Sequence, residues 1–190
     1  MCWREEKMRF LDKEVILKDG IKCILRSPNE NDAEKMIEYL RMTSGETYFM
    51  IRYPEEITAT VEEEAKFLKN SIQSEKELMI AAFIDGELAG NAGLNCVRNR
   101  KKVKHRAEFG ISIKHKFWNR GIGNILISQM IEEAKEMGYE QIELGVYSDN
   151  KKAQALYKKY GFEVWGTIKN AYKLNDGIYR DEIIMGKMLF

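Results

Sequence analysis

The stretch Lys116 to Tyr139, KFWNRGIGNILISQMIEEAKEMGY, sets two glycines one residue apart at the start of an apolar-periodic helix. Glycine is a poor residue with which to begin an ordinary helix, because it loses more backbone freedom on ordering than any other residue. Missing side chains make sense where the backbone must come close to something. A helix N-terminus offers unpaired N–H groups and a partial positive charge. The amides of Arg120, Gly121, Ile122, Gly123 and Asn124, continuing to Ile125, are therefore placed to wrap a phosphate or pyrophosphate. The competing reading is a tight turn into the helix with no ligand. Two standard phosphate motifs do not fit. No Gly-Lys-Ser/Thr follows at P-loop spacing, and Leu126 stands where a dinucleotide fingerprint needs a third glycine. That leaves a phosphate-bearing cofactor other than ATP or NAD.

Upstream, HRAEFGISI, His105 to Ile113, alternates as a strand. Downstream, QIELGVYS is a strand with Ile142, Leu144 and Val146 on one face. A helix follows in NKKAQALYKKYGF, with Ala153, Leu156, Tyr157 and Tyr160 at i, i+3, i+4 and i+7 and Gly161 as its stop. Strand, crossover helix and strand imply one parallel step. Further out, IKCILR from Ile21 is a strand, and helices are predicted from about Asn31 and over about 60–74, the second with Val61, Ala65, Phe67, Leu68 and Ile72 as its apolar residues. LMIAAFI and ELAGNAGLNCV form a hairpin across Asp85-Gly86. Two last strands, near 163–168 and 178–189, flank a turn at Asn175-Asp176-Gly177. The order β, α, α, β, β, β, α, β, α, β, β predicts an α/β domain over residues 21–190, a mixed, mostly antiparallel sheet flanked by helices. Residues 1–20 form a charged lead-in of no assignable structure.

At 190 residues the chain fits one domain, and 31 basic against 30 acidic residues leave no global field to recruit nucleic acid or an anionic membrane. Charged partners must be met locally. Cys2, Cys23 and Cys96 are odd in number and form no CxxC, which argues against a disulfide framework and a zinc site. MCWREEKMRF carries charge where a signal peptide needs its apolar core, and no apolar run approaches the about 18 residues that span a bilayer. The expected location is the cytoplasm. His105 and His115 alone give little material for a metal site or a histidine-based triad. The basic run Arg98 to Arg106 reads as a contact for a phosphate, an acidic substrate or RNA, or as a solvated hairpin loop.

The hexapeptide Trp118-Asn119-Arg120-Gly121-Ile122-Gly123, followed by Asn150, Ala153, Leu156, Tyr157, Gly161 and Phe162, resembles two motifs of the GNAT superfamily of acyl-CoA-dependent N-acetyltransferases. The resemblance covers about residues 21–190, with the elements in the right order. With YRDEIIMGKML as a closing strand, the pattern is similar to the branch containing ribosomal-protein-alanine and polyamine acetyltransferases. Trp118 departs from it, standing where Arg or Gln is usual. The resemblance implies a GNAT-like fold and acetyl-CoA as cosubstrate, its pyrophosphate on the loop amides. It implies that the backbone of Ile111, Ser112 and Ile113 bonds the pantetheine arm, with Asn150 near that arm. The reaction implied is direct transfer, in a ternary complex, to a primary amine on a small molecule or peptide. No direct nucleic-acid or membrane partner is expected, and a homodimer is left open.

Such a transfer needs a neutral amine, a polarised carbonyl and a proton for the departing thiolate. An alkyl ammonium of pKa about 10 is only about one part in a thousand neutral at pH 7, so a base helps. Glu108 is the candidate, on the strand face of Gly110 and Ser112, with a solvated or salt-bridged glutamate as the alternative. Tyr157 is the candidate proton donor, the alternative being a core tyrosine. The carbonyl is met by N–H groups of the Ile111–Ile113 strand. In SGETYFMIRYPEEITAT, Tyr48, Phe49 and Tyr53 beside Glu46, Glu55 and Glu56 suit an amine with a cationic tail, or simply connect two helices. Two other classes compete with the enzyme: a non-catalytic acyl-CoA-binding sensor or partner-binding module, and RNA or ribosome binding, which the near-zero net charge disfavours.

Overall fold

The computed structural model describes residues 10–190. In chain order these form β1 (Lys13–Ile16), β2 (Lys22–Arg26), α1 (Ala33–Glu46), α2 (Val61–Gln73), β3 (Glu77–Ile84), β4 (Glu87–Cys96), β5 (Arg106–Ile113), α3 (Ile122–Glu136), β6 (Gln141–Tyr147), α4 (Lys151–Lys159), β7 (Glu163–Lys173) and β8 (Tyr179–Met188). One sheet runs β1-β2-β3-β4-β5-β6-β8-β7, with every neighbouring pair antiparallel except β5 and β6. The mixed, mostly antiparallel α/β architecture read from the sequence is the one observed.

Period-two alternation in β3 explains how the sheet is covered. Leu78, Ile80, Ala82 and Ile84 enter a core with Leu126, Ile127 and Met130 of α3, while Ala81 and Phe83 enter a second core with Met36 and Tyr39 of α1 and Leu68 of α2. The α3/α4 face is therefore apolar along most of the sheet. The α1/α2 helices cover only part of the other face, and that exposes the functional surface described below.

The structure adds detail the sequence left open and lengthens one strand. Residues 13–16, inside the lead-in, pair with β2, and Glu14 meets Lys22 at 3.0 Å; a four-residue edge strand half made of charge carries too weak a pattern to read. Residues 1–9, with Cys2 and most of the MCWREEKMRF stretch, lie outside the described residues. In α2 the buried residues are Glu64, Leu68 and Ser71, while Val61 and Phe67 are 47% and 51% exposed. β7 runs to Lys173 rather than to 168, its register shifting around Asn170 at φ 52°. The start of α2 is fixed by a capping box between Thr60 and Glu63. Thr60→Ala is expected to cost about 1 kcal/mol, read as a lower midpoint in urea at unchanged slope.

Candidate active site

β5 and β6 pair only at Arg106–Gln141, Ala107–Ile142 and Glu108–Glu143. Beyond that rung the two parallel strands part, and the edge of β5 from Phe109 to Ile113 faces a gap instead of a partner. The chain leaving β5 enters the glycine loop and α3; the chain leaving β6 enters α4. Two helix N-termini thus sit at one open end of the sheet.

At the first of them, Gly121 is the N-cap with φ 98°, a left-handed conformation that costs a residue with a side chain about 1–2 kcal/mol. Ile125 donates its N–H to the Gly121 carbonyl at 3.2 Å, so the expected cradle stops short of Ile125. The amides of Ile122, Gly123 and Asn124 donate to no described residue, and no side chain caps this end. Gly123 is different. A Cβ there would come 3.1 Å from Leu156 Cδ2 and 3.3 Å from Ile113 Cδ1, so this glycine lets α3 close on α4 and β5. The side chains of two loop residues named from the sequence point away from the cradle. Asn124 Oδ1 accepts from Lys159 Nζ at 2.6 Å and from the Tyr160 hydroxyl at 3.3 Å. Arg120 pairs with Asp19, holding that carboxyl below its ordinary range. The Arg120 carbonyl also accepts from the Lys18 amide at 3.3 Å, so the β1–β2 turn buttresses the loop.

Trp118 has a clear structural task. Its indole donates to the Ile113 carbonyl at 2.7 Å, its ring meets His115 edge-on at 4.5 Å, and Lys152 Nζ of α4 lies 4.5 Å above it. The Tyr39 hydroxyl donates to the Ser112 carbonyl at 2.7 Å and lies 2.8 Å from Ser112 Oγ. Two carbonyls of the Ile111–Ile113 segment thus already carry a protein donor, while the Ile111 and Ile113 side chains pack on the α3/α4 core. Asn150 is the N-cap of α4, its Oδ1 accepting from the Ala153 amide at 3.1 Å.

Tyr157 is buried on the α3/α4 face, edge-on to Phe109 at 6.3 Å. Its hydroxyl has no hydrogen-bond partner among the described residues, and burial pushes it up to about 12. Glu108 alternates with Phe109 and so lies on the other face, exposed, at the last paired rung. The two sequence candidates meet only through the gap between β5 and β6.

That other face is glycine-poor in crowding and rich in polar groups. Gly93 and Gly110 are cross-strand partners with open space above both. Beside them Arg106 forks onto Glu143 at 2.7 Å. The α1–α2 connection brings Tyr48 and Phe49 against Tyr147, with ring centroids 5.8 and 5.7 Å away, and Tyr172 stacks on Tyr147 at 3.9 Å. Two of the three carboxylates expected with these rings are committed elsewhere: Glu46 accepts from the His115 amide and Glu56 from the Tyr53 amide, each at 2.7 Å. Two other acidic groups reach the rings: Asp149, whose Oδ2 accepts from the Tyr48 hydroxyl at 2.7 Å, and Glu182 of β8, whose Oε1 accepts from the Tyr172 hydroxyl at 2.5 Å. Nothing in the alternation of YRDEIIMGKML distinguishes it.

The sequence profile described as the Acetyltransferase (GNAT) family matches residues 29–162. The chain belongs to that family. Acetyl transfer to an amine is the family's reaction, and the chain is an acetyltransferase. It is 38% identical over 110 residues to the L-amino acid N-acetyltransferase AaaT of Escherichia coli (strain K12), a match covering 57% of this chain and 67% of that one. A crystal structure of a GNAT-family acetyltransferase from Streptococcus pneumoniae superposes with a TM-score of 0.83 at 29% identity, over 88% of this chain and 99% of that one. The structure of yncA from Salmonella typhimurium, solved with its cofactor acetyl-CoA, gives a TM-score of 0.76 at 18% identity, over 87% and 93% of the two chains. Among the described residues no helix is long and apolar enough to cross a membrane.

Proposed function

We propose that the chain moves the acetyl group of acetyl-CoA directly to a primary amine within a ternary complex. The observation carrying this reading is the set of unpartnered amides at Ile122, Gly123 and Asn124, opening beside the gap between β5 and β6. Main-chain donors at a helix N-terminus suit a pyrophosphate, and an acyl-pantetheine arm fits a strand edge that lacks a partner. N–H groups of the Ile111–Ile113 segment on the edge turned away from β4 polarise the thioester carbonyl. Tyr157 meets the sulfur from the α3/α4 side, and the amine arrives over Gly93 and Gly110 from the other. A carboxylate on that side takes the ammonium proton; Glu108 is the one visible in the sequence. The free thiols Cys23 and Cys96 fit a reducing, cytoplasmic setting.

Among the described residues, two arginines of the acceptor face already lie against acids, Arg106 on Glu143 and Arg180 3.0 Å from Asp149. This pairing favours an amine without a carboxylate beside the reacting nitrogen, such as a peptide N-terminus, a lysine side chain or a polyamine. Acetyl-CoA should raise the thermal midpoint. Thiol release should then be detected with at least one of an alanyl peptide, a lysyl peptide, spermidine and glucosamine, and free L-amino acids should be poorer acceptors. No midpoint shift together with no thiol release over this panel overturns the reading.

A further inference from the structure

We propose that Glu182, not Glu108, holds the acceptor ammonium and takes its proton, an assignment that rests on the acetyltransferase reading above. The first observation is steric. A Cβ on Gly145 would collide with Glu182 Oε1 and sit 2.7 Å from its Cδ, so the carboxylate occupies the space a β6 side chain would fill. With any other residue at 145 the carboxylate would have to move. The second is position. Pairing of β5 with β6 ends at Glu108–Glu143, so the next residues on that face, Gly110 and Gly145, form the two lips of the gap. Glu182 therefore lies over the β6 lip, where the strands have already separated, whereas Glu108 lies where they still pair.

The third observation is electrostatic. Glu182 is half-buried, yet among the described residues no lysine, arginine or histidine pairs with it. Half-buried carboxylates are ordinarily paired, because desolvation without a partner is costly. Tyr172 fixes Oε1, and burial together with this carboxylate keeps the Tyr172 phenol protonated, so it stays a donor. Oε2 accepts from no described residue. The stacked rings of Tyr147 and Tyr172 wall the site, and aromatic faces beside a carboxylate favour a cation. The remaining charged and titratable groups nearby are Tyr48 and Tyr53 of the α1–α2 connection, the Arg180–Asp149 pair and the Arg106–Glu143 pair. Both arginines are already matched by acids, so the missing partner is an incoming ammonium.

The acceptor R–NH3+ gives one proton to Glu182 Oε2, directly or through one water, which frees the nitrogen lone pair. That pair forms the N–C bond to the thioester carbonyl carbon. The C–S bond breaks, its electrons going to sulfur, and a second nitrogen proton ends on the thiolate. The products are R–NH–COCH3, the free thiol and a proton that Glu182 returns to solvent.

The test is kcat/KM against pH for wild type, Glu182→Gln and Glu108→Gln, with the best acceptor of the amine panel. Glu182→Gln keeps the shape and the Tyr172 contact, so the fold is preserved. It should lower kcat/KM about 100-fold and flatten the acid limb that an ionising carboxylate gives, leaving only the amine's own ionisation. Glu182→Asp should recover part of the activity and the limb. Gly145→Ala, which displaces the carboxylate without removing it, should cost activity in the same direction. A Glu182→Gln enzyme with wild-type kcat/KM and an intact acid limb, or a limb lost in Glu108→Gln instead, overturns the assignment alone. A wild type inert towards every amine overturns the acetyltransferase reading and this assignment together.

Discussion

Replacing Tyr157 by phenylalanine is expected to lower kcat about 100-fold while leaving the dissociation constant of acetyl-CoA within about threefold of wild type and the fold no less stable. The last expectation follows from burial. The hydroxyl is pushed up to about 12 by desolvation and finds no partner among the described residues, so removing it breaks no protein hydrogen bond. The first follows from the same fact read chemically. A phenol pushed well above the ordinary range of a thiol makes complete proton transfer to the thiolate uphill. Tyr157 therefore acts as a fixed hydrogen-bond donor to the sulfur as charge develops there, while the net proton comes from the acceptor nitrogen. Removing one such donor from a water-poor site costs on the order of 100-fold to 1000-fold. The sign with pH is also set. Because the folded-state value is raised, the phenol stays protonated through neutral and mildly alkaline pH, so no alkaline loss of activity below about pH 10 is assigned to it. Single-turnover kinetics with thiol detection check the claim. An unchanged kcat would mean that the sulfur is served by water or another group, and for a chain that only senses acyl-CoA the substitution would have no kinetic readout at all.

The sequence reaches the frame of this site well and its chemistry unevenly, for a physical reason. The strand, loop, helix, strand order around Gly121 depends on local signals: alternation in HRAEFGISI, glycine at a helix start, a 3.6-residue period from Ala153 to Tyr160. These survive into the fold because each segment buries the face its own pattern announces. Contacts made between segments leave no such mark. Gly121 and Gly123 look equivalent in the chain, yet one is held by a positive φ and the other by the side chains of Leu156 and Ile113. Trp118 departs from the usual loop residue, and only the structure shows its indole on the Ile113 carbonyl. Glu46 and Glu56 have the right composition for an acidic acceptor site but are consumed by the backbone amides of His115 and Tyr53. Glu182 replaces them from a strand at the far end of the chain, made conspicuous only by Gly145 beneath it and Tyr172 beside it.

The two loop glycines also supply the second large expected effect, because their different surroundings predict different losses. Gly121→Val should weaken acetyl-CoA binding about 100-fold with kcat at saturation within a fewfold of wild type. At φ 98° a β-branched residue cannot sit without strain, so the turn must shift to relieve it. The amides of Ile122, Gly123 and Asn124 then lose their common direction, and hydrogen bonds to a charged pyrophosphate contribute about 1.5–3 kcal/mol each. Losing little more than one of them already accounts for 100-fold in affinity. Gly123→Ala keeps the turn but drives a methyl group towards Leu156 and Ile113 at 3.1 and 3.3 Å, so the cost falls on packing between α3, α4 and β5. It should lower stability by about 1 kcal/mol or more, with acetyl-CoA affinity reduced much less than in Gly121→Val. Calorimetric titration and thermal unfolding of both variants separate the two effects. If Gly121→Val bound acetyl-CoA as wild type does, the diphosphate would have to be held by something other than the main chain of this turn, and the location of the cofactor, the role of Tyr157 and the approach of the amine over Gly93 and Gly110 would all have to be argued again from another site.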